Sequence, residues 1–189
     1  MPLSVPTAQR EPLHQRSITV QGYKRADGLY DVEATLIDTK AVDFKLTSGV
    51  RRAGEPVHAM TLRITVDTTL TIIDAEASTD AMPYTGECNK IAPHYRNLIG
   101  LSIRPGFTAK VRELFAGTAG CTHLTDMIGV AATTAFQTLA GQTPQDADRK
   151  PHQLDRCHAL KTDAPSVAKY YPRWYRANPL NPLERPEPS

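Results

Sequence analysis

Apolar and polar residues alternate at every second position through the first third of the chain. From about Arg16, Ile18 and Val20 alternate with Thr19 and Gln21, and Asp27-Gly28 then signals a hairpin turn. Tyr30, Val32, Ala34 and Leu36 fall on one side of the next run, with Asp31, Glu33 and Thr35 on the other. A connection containing Gly49 and Gly54-Glu55-Pro56 follows. Met60, Leu62, Ile64 and Val66 then repeat the pattern against Thr61, Arg63 and Thr65, and an Asp67-Thr68 turn leads into Leu70 to Ala77. Four such runs joined by short turns predict an antiparallel meander with one wet face.

After Thr79 the period becomes helical. Ile91, Tyr95, Leu98 and Ile99 make a short apolar face, which confines Pro93 to the first turn of a helix. Pro105 starts a second helix carrying Phe107, Val111, Leu114 and Phe115, broken by Gly117 and Gly120. From Thr122 a third helix sets Leu124, Met127, Ile128, Ala131, Ala135 and Leu139 on one stripe and ends at Gly141. Strands followed by helices predict an α+β fold: a four-stranded antiparallel meander packed by three helices, with a proline-rich C-terminal arm. The expected boundaries are a flexible leader over 1–15, a core domain over 16–141 and an arm over 142–189. The arm holds eight prolines and one expected helix around Leu154 to Leu160, and it docks on the core.

Composition narrows the function classes. A chain of 189 residues can bury about 70% of its unfolded surface as one domain and needs no staple. Its 22 basic against 20 acidic residues leave a net charge of +2, too small to argue for nucleic acid as a partner. The stretch Met1 to Gln15 has no apolar core of a signal peptide, and no run approaches the ~20 apolar residues of a membrane span. Three cysteines with no export signal point to a reducing cytoplasm. The expected partner is a small molecule, and an exposed sheet edge permits a homodimer.

Those three cysteines are the candidate chemistry. Cys121 opens the third helix, where unpaired N–H groups and the helix dipole favour thiolate. Cys88 precedes another helical stretch, and Cys157 stands beside His158 in the arm. Together with His123 they form a Cys₃His set, Cys88, Cys121, His123 and Cys157, a composition that suits tetrahedral zinc. His94 and His158 are substitute ligands. The same residues allow thiol catalysis, with Cys121 as nucleophile, His123 or His94 as base and the Gly117 to Gly120 loop as oxyanion hole. A plainer account also fits: three small core hydrophobes, a Thr122 helix cap and two turn glycines. Asp74 and Glu76 read as solvated residues of the fourth strand. The cluster Lys169-Tyr170-Tyr171-Pro172-Arg173-Trp174-Tyr175-Arg176 reads as the aromatic face by which the arm docks.

Several motifs in this sequence resemble a known family. They are Leu98-Ile99-Gly100-Leu101-Ser102-Ile103, Gly106-Phe107 and above all Gly120-Cys121-Thr122-His123-Leu124. Asp74-Ala75-Glu76, Pro83 with Cys88, Cys157-His158-Ala159-Leu160 and Tyr171-Pro172-Arg173-Trp174 extend the likeness over most of Arg16 to Tyr175. The chain resembles the bacterial family catalogued as domain of unknown function 2889. That resemblance implies no activity, but it places Cys88, Cys121, His123 and Cys157 inside one recurring pattern. A fainter similarity to iron–sulfur scaffold proteins makes an iron–sulfur cluster, and a non-enzymatic carrier or adaptor, the alternative to zinc. The leading expectation is a zinc-binding Cys/His protein acting on a small acidic or acyl substrate.

Overall fold

A computed structural model of the chain describes residues 2–142 and 148–177. The expected arm over 142–189 therefore lies partly outside the described residues. The described chain divides into two compact units at the boundary between Gln142 and Thr143.

The first unit carries the predicted meander. Strands β1 (His14–Lys24), β2 (Tyr30–Lys40), β5 (Pro56–Val66) and β6 (Ile72–Ala81) form one antiparallel sheet in the order β1-β2-β5-β6. The connection between β2 and β5 folds into its own hairpin, β3 (Phe44–Leu46) with β4 (Gly49–Arg51), which sequence periodicity does not announce in strands this short. On β2 the alternation is strict: Tyr30, Val32, Ala34, Leu36 and Asp38 are all buried, while the residues between them are not. Burying a side chain such as Leu36 contributes roughly 1.5–3 kcal/mol. Three irregularities interrupt the pairing, one at Asp38/Thr39 against β5, one at Thr65/Val66 against β6 and one at Ala59/Met60 against β6. The second shifts the parity of β6, so Ile72 and Ala75 are buried whereas Asp74 and Glu76 face out and Glu76 pairs with Arg63.

Helices cover the buried face. The first expected helix is instead a run of 3₁₀ turns over Cys88–Leu98, with Pro93 in its middle rather than in its first turn. Proline explains the difference, since its ring would strike the carbonyl of Asn89 in α geometry and it has no N–H to donate. Helix α1 (Phe107–Phe115) follows Gly106, and α2 (Thr122–Leu139) lies across β1, β2 and β5. The face of α2 against the sheet is Leu124, Met127, Ile128, Ala131, Ala132, Ala135 and Leu139. Its alanines permit a close approach, which is tightest at Gly22 of β1. A Cβ at Gly22 would lie 1.8 Å from Oγ1 of Thr138.

The second unit contains a 3₁₀ turn at His158–Leu160 and a short helix α3 (Pro165–Tyr170). A helix from Leu154 to Leu160 does not form because Asp155 adopts a left-handed φ of 62°. The Asp155 carboxylate instead accepts hydrogen bonds from the Thr162 N–H (2.8 Å) and hydroxyl (3.1 Å). No helix among the described residues is long and apolar enough to cross a membrane.

Candidate metal centre

Sheet register brings three charged or ionisable residues into one lateral row. Arg16 of β1 lies opposite Asp38 of β2, and Asp38 lies opposite His58 of β5. All three share the parity of the buried face, so the row continues the apolar layer of Leu36 and Met60 and closes it with charge. The bulge beside Asp38 sits where the ladder ends, a common position for bulges next to functional sites.

Asp38 is the centre of this row and only 1% exposed. Arg16 grips it with both arms, Nε to Oδ1 and Nη2 to Oδ2, each at 2.8 Å. On the other side Nδ1 of His58 is 3.0 Å from Oδ2. His14, two residues before Arg16 and on the same face of β1, places Nε2 at 3.4 Å from Oδ1. Burial by itself would raise the pKa of the carboxyl. The ion pair with Arg16 and the hydrogen bond with His58 outweigh it, and the Asp38 pKa falls to about 2. Asp38 is therefore a carboxylate throughout the physiological range.

The fourth member comes from the helix layer. His123 stands in the first turn of α2, with Nε2 at 3.7 Å from Oδ2 of Asp38. Its ring lies 3.9 Å from that of His58, centroid to centroid, at 31°. Burial, followed by the nearby His58 and Arg16, lowers the His123 pKa against the opposing pull of Asp38 and Asp126. At neutral pH the ring is uncharged and offers a lone pair. Among the described residues, Asp38, His58 and His123 form the group whose ligand atoms all lie within 4.8 Å of one another. The site opens toward solvent on the β1 side, where the side chains of His14 and Arg16 are 39% and 34% exposed.

The residues expected from sequence distribute unevenly around this centre. His123 belongs to it. Cys121, the residue at the N-cap of α2, has its Sγ 3.8 Å from Nδ1 of His123, the nitrogen turned away from Asp38. Thr122 is the first residue of α2 rather than its cap. Cys88 opens the 3₁₀ segment and is partly buried, and among the described residues neither it nor His94 joins the Asp38 group. His94 meets Asn97 and the edge of Phe115 instead. Cys157 and His158 belong to the second unit, where Cys157 is exposed.

Asp38, His58, Arg16 and His14 were not among the sequence candidates. A signal for them does exist in the alternation. Asp38 sits two residues beyond Leu36, His58 two before Met60 and Arg16 two before Ile18, so each occupies an inward position at a strand end. The period of two thus puts all three polar side chains on the face of the apolar rows they continue.

A family model described as protein of unknown function (DUF2889) matches residues 14–137, which contain every member of this cluster. No curated protein and no solved structure matches the chain.

Proposed function

The chain belongs to the DUF2889 family, and we propose that this member binds a divalent transition-metal ion, zinc foremost, through Asp38, His58 and His123. The observation that carries the reading is the spacing of the donors. Metal–nitrogen and metal–oxygen bonds of about 2.0 Å in a tetrahedron put ligand atoms about 3.3 Å apart. The His58–Asp38 and His123–Asp38 separations, 3.0 and 3.7 Å, bracket that value. The donors are also in the right ionic form, a carboxylate beside an imidazole whose lowered pKa keeps it neutral. Arg16 anchors the carboxylate from behind, as outer hydrogen-bond partners do for metal ligands.

Two imidazoles and one carboxylate leave a coordination position free, the arrangement of catalytic rather than structural zinc. With a metal held by Asp38, His58 and His123, the site would activate water and polarise a carbonyl, which would suit hydrolysis of a small acidic or acyl substrate. An oxygen and two nitrogens are a poor set for an iron–sulfur cluster, which is held by thiolates. Ferrous iron takes the same two-histidine, one-carboxylate set, and it is the competing ion. With its three cysteines all free, the protein is read as cytoplasmic.

Elemental analysis of untagged protein, with titration of the metal-free form by zinc, tests the proposal. About one ion per chain is expected in the wild type and none in His58→Ala or His123→Ala. Full occupancy in both variants overturns it.

One observation favours a second reading. Cys121, His123 and Asp38 lie in the order nucleophile, base and orienter, with contacts of 3.8 and 3.7 Å across the two edges of one imidazole. Iodoacetamide labelling of Cys121 at the rate of an ordinary exposed thiol removes that reading.

A further inference from the structure

We infer that Cys121 is a positioning residue for His123, turning the imidazole so that Nε2 faces Asp38 and His58. The inference rests on the metal reading above and assigns a role to the Gly120-Cys121-Thr122-His123 run. Sγ of Cys121 lies outside the group of ligand atoms and meets Nδ1, while Nε2 points to Asp38. An imidazole that gives Nε2 to a cation must carry its remaining proton on Nδ1. That N–H needs an acceptor, and a metal-bound histidine generally has one. Here the acceptor at hand is the sulfur.

The sulfur is well placed for this because the backbone that carries it is clamped. Tyr95 is completely buried and stacks on Phe115 with ring centroids 4.6 Å apart and planes 2° from parallel. Its hydroxyl accepts from the Cys121 N–H and donates to the Cys121 carbonyl, each at 2.9 Å, and meets Oγ1 of Thr125 at 2.8 Å. Gly120 allows the loop to press on Phe115, since a Cβ there would stand 2.5 Å from the Phe115 carbonyl oxygen. The residue at an N-cap commonly spends its side chain on the helix N–H groups. Cys121 makes no such bond, which leaves its thiol to the histidine two positions on. In this arrangement the glycine gives close approach, the cysteine gives orientation and the histidine gives the ligand.

The test uses full-length protein, zinc affinity by competition titration, and the absorption spectrum after cobalt(II) replaces zinc. Cys121→Ala is expected to weaken zinc binding roughly 10–100-fold, in line with the loss of other outer partners of metal ligands. Cys121→Ser, whose oxygen also accepts, is expected to recover part of it. Wild-type protein loaded with cobalt is expected to lack the near-ultraviolet thiolate-to-cobalt charge-transfer band. Equal affinity in wild type and Cys121→Ala overturns the orienting role, and a thiolate band that persists when Cys88 and Cys157 are replaced by serine overturns it by making Cys121 a ligand. Both results leave the metal reading standing. A wild type that binds neither zinc nor cobalt overturns both. The spectrum needs no Cys121 variant, so it can overturn the orienting role even where Cys121→Ala fails to fold.

Discussion

Replacing Asp38 by Asn removes the charge at the middle of the Arg16–Asp38–His58 row while keeping the shape of the side chain. In the fold the carboxyl titrates at about 2, against about 3.9 for an aspartate in an unfolded chain. That difference corresponds to roughly 2–3 kcal/mol of stability at neutral pH. The sign follows from which state takes up the proton first. As pH falls, the unfolded chain protonates before the native one, so the contribution is complete above about pH 5 and drains away between about pH 5 and pH 2. The other aspartates with lowered pKa values, Asp27, Asp43, Asp67 and Asp155, add acid sensitivity of the same sign but are common to both proteins. Subtracting the variant from the wild type cancels these and leaves Asp38 together with its pull on His123, which titrates at higher pH than the Asp38 carboxyl. Urea unfolding followed by far-ultraviolet circular dichroism, in metal-free buffer from pH 7 down to pH 2, is therefore expected to show a gap that closes by about 2 kcal/mol on acidification. Stability curves that run parallel over the whole range would refute the reasoning, because the loss would then come from packing and not from the charge.

Two further outcomes follow from the packing around the site. Gly22→Ala drives a methyl group to within 1.8 Å of Oγ1 of Thr138 and must push α2 off β1; overpacking of this kind costs about 1–3 kcal/mol, read as a lowered urea midpoint. An unchanged midpoint would show that α2 does not depend on that close approach. Tyr95→Phe leaves the ring stack on Phe115 intact but removes the hydroxyl that holds the Cys121 peptide. It is expected to lower zinc affinity by more than it lowers the melting temperature of the metal-free protein, and the reverse ordering would count against the clamp.

How far the sequence reached differs between fold and site. Alternation along Tyr30 to Leu36 and Met60 to Val66 suffices to find the strands and their buried face, because side-chain direction in a strand is a local property with a period of two. The stripe from Leu124 to Leu139 suffices for α2 on the same grounds. Local reading stops at Cys88–Leu98, where the apolar spacing suits an α-helix but Pro93 makes the backbone take 3₁₀ turns. It stops again at Asp155, whose left-handed backbone no periodicity foretells.

For the site, the Gly-Cys-Thr-His run was visible as chemistry, and His123 was drawn from it. The partners of His123 were not, since Arg16, Asp38 and His58 are far apart in sequence and meet only through strand register. Each of them is unremarkable in its own segment, a polar residue at a strand end. What the sequence by itself determined is which residues face inward on each element. Which inward residues become neighbours was decided by the tertiary structure, through the pairing of β1, β2 and β5 and the laying of α2 across them. Register and helix docking depend on the packing of the whole core, and that sum over distant contacts set Asp38, His58 and His123 around one point.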